Sequence, residues 1–197
     1  MTMTKSSLMM LNHRDELPAL LNECGLTGTG VEVGVLRGGF ATHILKHWKG
    51  RRLYLVDGWR HFPGLIDANN VDHNENLNNL AVTFMAVYEF GERAVILRDL
   101  SVKAAKLFSD DSLDFVYIDA SHDYENVLAD LTAWYPKVKS GGIFAGHDYF
   151  DGTLSYGPQS PDGVFGVKSA VDQFFGNYKT QVQVSKENFP TWWIEKK

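Results

Sequence analysis

The sequence predicts an α/β fold in which helices cover a doubly wound, mostly parallel β-sheet. From Gly30 onward, short β-branched and apolar runs alternate with segments in which apolar residues recur at helical spacing. Most of the short runs are continuously apolar, as expected of strands that are buried on both faces. The chain has 197 residues, of which 44% are hydrophobic. We therefore expect one domain with its own core over residues 1–197.

The elements are expected in a regular order. Residues 1–28 form a helical lead-in, with a helix over Arg14–Glu23 in which Pro18 fits only in the first turn. The candidate strands are Gly30–Val33, Arg52–Val56, Ala94–Arg98, Phe115–Asp119, Ile143–Ala145, Gln181–Val184 and Trp192–Glu195. The candidate helices between them cover Phe40–Trp48, Leu77–Tyr88, Val102–Phe108, Val127–Tyr135 and Val167–Phe175. Ser101 is the expected N-cap of the third of these helices.

Two segments have no regular pattern, namely Gly58–Asn74 and the glycine- and proline-rich Tyr149–Gly166. In a doubly wound sheet, ligands bind outside the carboxyl ends of the strands, and both segments begin at such ends. We expect them to form the rim of a binding pocket, and we expect residues 149–166 to act as a lid that becomes ordered over it.

The composition argues against several classes of protein. The chain has 19 Lys and Arg residues against 24 Asp and Glu, a net charge of −5, and no basic stripe, so a nucleic-acid partner is not expected. Cys24 is the single cysteine, which excludes an intramolecular disulfide and a cysteine-based zinc site. The apolar run Leu8–Leu11 is too short for a signal-peptide core, and no run approaches the roughly 18 apolar residues of a membrane span. These features predict a soluble, cytoplasmic protein.

The segment VEVGVLRGGFATHIL, residues 31–45, combines a strand, a glycine turn and an amphipathic helix. Gly34 and Gly38 would let the backbone pass close to a ligand, which suggests a nucleotide-like cofactor. The dinucleotide fingerprint would need a third glycine where this chain has Leu36, and that side chain would block a pyrophosphate.

Two acids refine the choice of cofactor. Glu32 lies beside the turn, where a carboxylate repels phosphates but suits the ammonium and sulfonium groups of S-adenosylmethionine. Asp57 ends the next strand. Its distance along the chain from Gly34 is about that at which an acid can bind both ribose hydroxyls. Together they favour S-adenosylmethionine over a nicotinamide dinucleotide.

A second group of polar residues follows two later strands. Asp119 ends one strand and His147 and Asp148 follow the next, so their side chains can converge if these strands are neighbours about 5 Å apart. Two carboxylates and an imidazole form a partial shell for a divalent cation, with magnesium or manganese as the candidate ion. His122, three residues past Asp119, is a candidate general base or a further metal ligand. A histidine here could equally serve only as a hydrogen-bond partner of a loop.

The segments DFVYIDASHDYENVLADL and KVKSGGIFAGHDY resemble the fourth and fifth strand regions of class I S-adenosylmethionine-dependent methyltransferases. The resemblance covers roughly Arg14 to Phe175 and is to a small bacterial group related to metal-dependent sugar and antibiotic O-methyltransferases. It implies a Rossmann-like sheet of seven strands, one of them antiparallel, in which the last two strands pair.

The resemblance also implies roles for single residues. Glu32, Gly34 and Gly38 would surround the methionine moiety, Asp57 would hold the ribose, and Trp59 would lie near the adenine. Gly58 is a further candidate cofactor-binding residue. The implied adenine edge is Asp99, Leu100 and Ser101, where the family more often has Gly-Asp-Ser. Asp119 would touch the cofactor and, with His147 and Asp148, a metal; relatives have an acidic pair where this chain has His147–Asp148.

The leading functional hypothesis is methyl transfer to a hydroxyl of a small molecule, assisted by a metal. Asp119, His122 and His147 are the candidate catalytic residues, and either histidine could take the proton. The alternatives are metal-independent transfer to nitrogen, carboxylate or carbon, a nicotinamide dehydrogenase, and a non-catalytic small-molecule binder. The two irregular segments should select the acceptor, and a homo-oligomer is compatible with the sequence.

Overall fold

The computed structural model of the protein describes residues 10–155, 162–176 and 181–197. Its strands are β1 (Thr29–Val33), β2 (Arg52–Asp57), β3 (Ala94–Arg98), β4 (Leu113–Ile118), β5 (Val138–Gly146), β6 (Asp151–Leu154), β7 (Gly163–Gly166), β8 (Gln183–Val184) and β9 (Trp192–Glu195). Its helices are α1 (Leu17–Glu23), α2 (Gly39–His47), α3 (His73–Val87), α4 (Ser101–Ala105), α5 (Tyr124–Trp134) and α6 (Val167–Gly176). Short 3-10 turns cover Arg14–Glu16, Tyr88–Arg93 and Tyr135–Lys137.

The main sheet has seven strands in the order β3-β2-β1-β4-β5-β9-β8. The first five pair in parallel, whereas β9 runs antiparallel to both β5 and β8. This confirms the predicted mostly parallel sheet with one antiparallel strand. The strand order reverses between β1 and β4, so the crevice where ligands bind in such sheets lies at the ends of these two strands.

The strand bounds differ from the predicted ones by a few residues. β4 ends at Ile118, so Asp119 is the first residue of the following loop, and its N–H donates to the carbonyl of Val33 at 2.7 Å. β5 begins well before Ile143, because Gly141 and its neighbour lie inside the strand at an irregularity in its pairing with β4. The predicted strand covered only Ile143–Ala145, since glycines usually interrupt strands.

Two apolar clusters lie on opposite faces of the sheet. Side chains of α4, α5 and α6 pack on one face, around Val116, Trp134 and Phe144, while α1 and α2 pack on the other, around Phe115 and Trp48. Alternation along β4 sends Phe115 to one cluster and Val116 to the other. The helices on the two faces thus pack against the strands whose ends carry the predicted site.

Helix α3 lies where the apolar spacing predicts a helix, but it turns that apolar face outward. Phe84 is 52% exposed, whereas Asn79 and Thr83 are buried. Thr83 Oγ1 donates to the carbonyl of Leu36 at 3.0 Å, and Asn79 Oδ1 accepts from Arg37 Nε at 2.7 Å. The glycine turn carries polar groups that need partners, so α3 presents its polar side to the turn.

The predicted lid, residues 149–166, is less irregular than expected where it is described. β6 and β7 pair as an antiparallel ribbon, and the rings of Phe150 and Phe165 stack with centroids 4.4 Å apart. The centre of the segment lies outside the described residues. Its closure over a pocket stays a prediction.

The first nine residues of the predicted lead-in lie outside the described residues. Its described part contains the 3-10 turn at Arg14–Glu16 followed by α1, with Pro18 in the first turn of α1 as predicted. The backbone N–H of Arg14 donates to Glu187 at 2.9 Å, which ties the lead-in to the segment between β8 and β9. Within the described part of the chain, no helix has the length and apolar character needed to cross a membrane.

Candidate active site

The turn after β1 presses its backbone against the end of β4. Gly34 has a φ of +87°, and a Cβ atom there would lie 1.9 Å from the carbonyl oxygen of Asp119. Both the conformation and the contact therefore require glycine. The next glycine of the turn, Gly38, has a φ of +75° and precedes α2. As predicted, the glycine turn and Asp119 lie together.

Asp57 organises this turn. Its Oδ2 accepts hydrogen bonds from the backbone N–H groups of Val35 and Leu36 at 2.9 and 3.0 Å, and its Oδ1 accepts one from Trp59 at 2.8 Å. The sequence suggested a ribose contact only. The structure adds a second task, because this carboxylate holds the glycine turn and the start of the next loop in register.

A cavity of about 770 Å³ opens at this edge of the sheet, a volume within the usual range of small-molecule sites. The predicted cofactor-binding residues that line it are Gly34, Asp57, Gly58, Trp59, Leu100, Ser101 and Asp119. The loop after β2 covers part of the cavity, and Asn126, Ala129 and Asp130 line it from one face of α5. The sequence did not single out this face of α5, since its spacing is that of an ordinary surface.

Glu32 and Gly38 are not among the described residues that line the cavity. Glu32 is buried within the sheet because alternation along β1 points it away from Val31 and Val33. Its Oε2 has no hydrogen-bond partner among the described residues. Burial and the charge of Asp119 raise the pKa of Glu32 well above its usual range. The predicted attraction between Glu32 and a sulfonium stays a prediction.

Asp99 also differs from the prediction. Its carboxylate pairs with Lys103 at 3.1 Å and accepts from the N–H of Leu100 at 2.9 Å, and it does not line the described cavity. Ser101 is the first residue of α4 and not its N-cap, a position that Leu100 occupies. The hydroxyl of Ser101 instead donates to Asp130 in α5.

The polar residues after β4 and β5 converge as predicted. One ligand atom each from Asp119, His122 and Asp148 lies within 4.8 Å of the others. His122 Nε2 is 3.0 Å from Asp148 Oδ2 and 3.9 Å from Asp119 Oδ1. His147 lies beside this group, with Nδ1 3.2 Å from Asp148 Oδ1 and 3.8 Å from Asp119 Oδ1. The predicted metal set was Asp119, His147 and Asp148, whereas the three residues whose ligand atoms lie within 4.8 Å of one another include His122 in place of His147.

Carboxylates engage both ring nitrogens of His122. Its Nδ1 lies 2.7 Å from Asp67 Oδ2, on the side opposite Asp148. Burial alone would lower the pKa of His122, but hydrogen bonds to Asp119, Asp148 and Asp67 raise it to about 12. Burial alone would raise the pKa of Asp148, but hydrogen bonds from His122 and His147 hold it below its usual range. In this geometry His122 is a cation among carboxylates, which disfavours it as the general base.

Sequence reasoning missed two partners of the cluster. Asp67 lies in the irregular segment after β2, where no pattern marks it, and its side chain is buried against His122. Arg14 comes from the lead-in; its Nη1 donates to Asp119 Oδ2 at 3.2 Å, and its guanidinium lies 4.9 Å from the centre of the Phe40 ring. Each is far from Asp119 in sequence, so only the tertiary fold shows the contact.

The strand order, the glycine turn, the acid at the end of β2 and the cavity at the switch point together define a class I methyltransferase. A family model described as a methyltransferase domain matches residues 31–149, more than half of the chain. The chain belongs to this family, and it is an S-adenosylmethionine-dependent methyltransferase. The alternatives of a nicotinamide dehydrogenase and a non-catalytic binder are therefore set aside.

Solved structures share the fold at low sequence identity. A protein from Staphylococcus aureus assigned as a caffeoyl-CoA O-methyltransferase has a TM-score of 0.64 and 10% identity, with 92% of this chain and 81% of that one covered. An O-methyltransferase from Bacillus cereus in complex with SAH has a TM-score of 0.58 and 13% identity, with coverage of 92% and 80%.

A third structure, of the Burkholderia thailandensis 1,6-didemethyltoxoflavin-N1-methyltransferase, has a TM-score of 0.56 and 13% identity, with coverage of 93% and 77%. A comparison with curated protein sequences finds no match. Because the structural relatives include both O- and N-methyltransferases, the shared fold does not identify the acceptor.

The cavity fits S-adenosylmethionine in its size and in the polar groups along its wall. Gly34 keeps the turn free of a side chain, and Asp57 faces the cavity from the end of β2. Asp119 lies at the end of β4. These are the residues of this chain that would hold the methionine and ribose portions of the cofactor.

Asp57→Ala is expected to weaken binding of S-adenosylhomocysteine by roughly 2–4 kcal/mol, through loss of charge-assisted ribose contacts and of the bonds that order the turn. Calorimetric titration measures the affinity. Asp99→Ala is the matched control, since Asp99 directly follows the neighbouring strand β3 but pairs with Lys103. It should leave the affinity within about twofold of the wild-type value. An equal loss in the two variants would contradict the role given to Asp57.

Proposed function

We propose that this methyltransferase transfers a methyl group to a hydroxyl of a small molecule with the help of a divalent cation. The observation that carries the proposal is the convergence of Asp119, His122 and Asp148 within 4.8 Å, beside the glycine turn. Methyl transfer from a sulfonium is an in-line displacement, so an enzyme acting on a hydroxyl must align the acceptor and help to remove its proton.

The donor set suits a divalent cation. Asp119 and Asp148 supply hard oxygen ligands, and His122 would supply an imidazole nitrogen, which moves the preference from magnesium toward manganese. Asp67 on the other ring nitrogen of His122 would orient this ligand, as outer-shell carboxylates do at many metal sites. Cation binding would have to displace the proton of His122, so we expect the affinity to fall as the pH falls.

A bound cation would supply Lewis acidity, which lowers the pKa of an acceptor hydroxyl. The chain's own residues supply the rest. Arg14 orients the carboxylate of Asp119 through its 3.2 Å hydrogen bond. His147 is the better candidate for the base. Both ring nitrogens of His122 contact carboxylates. Among the described residues, His147 contacts carboxylates through Nδ1, and its Nε2 has no hydrogen-bond partner.

One observation favours a second candidate, metal-independent transfer to nitrogen or carboxylate. A protonated His122 lies between Asp67 and Asp148 and already offsets the charge that a cation would neutralise. In that case Asp119 and the histidines would orient the acceptor directly.

The two candidates differ in a turnover assay. Formation of S-adenosylhomocysteine is measured with a panel of hydroxyl, amine and carboxylate acceptors, first after exhaustive chelation and then with Mn²⁺ or Mg²⁺ restored. We expect turnover with the hydroxyl acceptors and not with the amine or carboxylate acceptors. This turnover should be lost on chelation and recovered when the cation is restored. Full turnover in chelator, unchanged by added cation, would support the metal-independent candidate and refute the proposal.

A further inference from the structure

The wall of the cavity contains a buried carboxylate to which neither the sequence nor the family comparison gave a role. Asp130 lies on α5 and is only 4% exposed, yet it lines the cavity together with Asn126 and Ala129. These three residues share one face of the helix, and Leu100, Ser101 and Val102 line the wall that follows β3.

A directed chain of hydrogen bonds fixes this carboxylate. The indole N–H of Trp134 can only donate, and it donates to Ser101 Oγ at 2.9 Å. The Ser101 hydroxyl then donates to Oδ1 of Asp130. Asp130 is therefore an acceptor in this chain, and Ser101 is a bridge whose hydrogen is already committed.

The family resemblance implies that Asp99 lies at the adenine edge, but the structure places it outside the described lining of the cavity. Asp99 instead pairs with Lys103. The neighbouring residue, Leu100, does line the cavity but carries no polar group. Among the described residues of α4, of α5 and of its N-cap, the acids that line the cavity are Asp123 and Asp130. Asp123 is the N-cap and accepts a hydrogen bond from the N–H of Asn126.

We propose that Asp130, oriented by Ser101 and Trp134, recognises the 6-amino group of the cofactor's adenine. The wall after β3 lies beyond Asp57, on the side away from Asp119, because β2 lies between β3 and β1 in the sheet. Asp57 and Asp119 account for the ribose and methionine portions, so the base portion lies toward Ser101 and Asp130. An exocyclic amino group donates hydrogen bonds, and an oriented acceptor in a buried site selects it.

The burial of Asp130 supports this assignment. Burial raises the pKa of Asp130 to about 7, and the charge of Asp123 adds to the shift while the Ser101 hydroxyl opposes it. A carboxyl group that is costly to ionise gains from a donor in the cavity. At about pH 8 the carboxylate form predominates and can only accept.

The test compares S-adenosylhomocysteine with S-inosylhomocysteine, in which a 6-oxo acceptor replaces the 6-amino donor. Calorimetric titration of the wild-type protein at about pH 8 should show at least a tenfold preference, by roughly the value of one buried hydrogen bond, for the adenine ligand. Asp130→Asn keeps the size of the side chain. Its Oδ1 still accepts from Ser101, so its NH₂ group faces the cavity, and the preference should fall by about tenfold or more or reverse.

Asp99→Asn is the matched variant and should keep the wild-type preference. If Asp130→Asn loses affinity for both ligands equally, the role of Asp130 is purely structural and the inference is overturned. A preference that falls in Asp99→Asn and not in Asp130→Asn would also overturn it. A wild-type preference below about twofold would overturn it without any variant, so the test does not depend on the folding of Asp130→Asn.

The inference rests on the cofactor and not on the metal-assisted transfer proposed above. Metal-independent turnover would therefore leave it intact. A wild-type protein that binds neither ligand would instead contradict the methyltransferase assignment itself, together with this inference.

Discussion

Gly34→Ala is expected to abolish measurable cofactor binding and to lower the free energy of unfolding by about 3 kcal/mol or more. The added Cβ would lie 1.9 Å from the Asp119 carbonyl oxygen and 2.4 Å from its carbon. Backbone atoms cannot rotate away as a side chain can, so β1 and β4 would have to separate at their ends. Calorimetric titration with S-adenosylhomocysteine and urea unfolding measure the two effects.

Two other glycines of the same turn serve as controls. Gly38→Ala also introduces alanine at a positive φ, but the nearest atom to its Cβ would be the Thr83 methyl carbon at 3.2 Å, and the nearest backbone atom would be the Thr83 Cα at 3.4 Å, an ordinary contact distance. We therefore expect a loss of roughly 1–2 kcal/mol in stability. Gly39→Ala meets nothing within 4 Å at the first residue of α2, and it should be neutral or stabilising by up to about 1 kcal/mol. Similar losses in all three variants would contradict the close contact at Gly34.

Asp148→Asn is expected to weaken Mn²⁺ binding by roughly 100-fold or more, because it removes one of two anionic ligands from the cluster. Asp148 has a φ of +55°, and asparagine tolerates this conformation as aspartate does. The variant therefore removes the charge and leaves the backbone unstrained. Titration followed by the electron paramagnetic resonance signal of free Mn²⁺ gives the affinity without knowledge of the methyl acceptor.

The matched control for this variant is Asp110→Asn. Asp110 pairs with Lys137 at the surface and takes no part in the cluster, so its loss should leave Mn²⁺ binding unchanged. Wild-type affinity in Asp148→Asn would remove Asp148 from the cation site. It would also favour metal-independent transfer.

The sheet and the glycine turn could be predicted because their signals are local. Continuous apolar runs marked the strands, and the spacing of Gly34 and Asp57 marked the cofactor edge. The strand ends then brought Asp119 and Asp148 together, since parallel neighbours end at the same edge of a sheet.

The parts that could not be predicted depend on how side chains turn within elements that were correctly placed. The outward apolar face of α3 follows from the needs of the glycine turn, which helical periodicity does not report. The contacts of Asp99 and Asp130 could not be predicted for a similar reason. Asp99 pairs with Lys103 one helical turn away, whereas Asp130 contacts Ser101 only because α4 packs against α5. The contact between His122 and Asp67 joins residues 55 positions apart.

That contact also joins two equilibria. Asp67 belongs to the loop that covers the cavity, and its hydrogen bond to His122 is part of the cluster after β4. Whatever fixes His122 in place therefore makes departure of the loop costlier, and by thermodynamic reciprocity a cofactor that holds the loop down makes the cluster firmer. Entry of the cofactor and assembly of the reacting centre are thus coupled through the contact between Asp67 and His122.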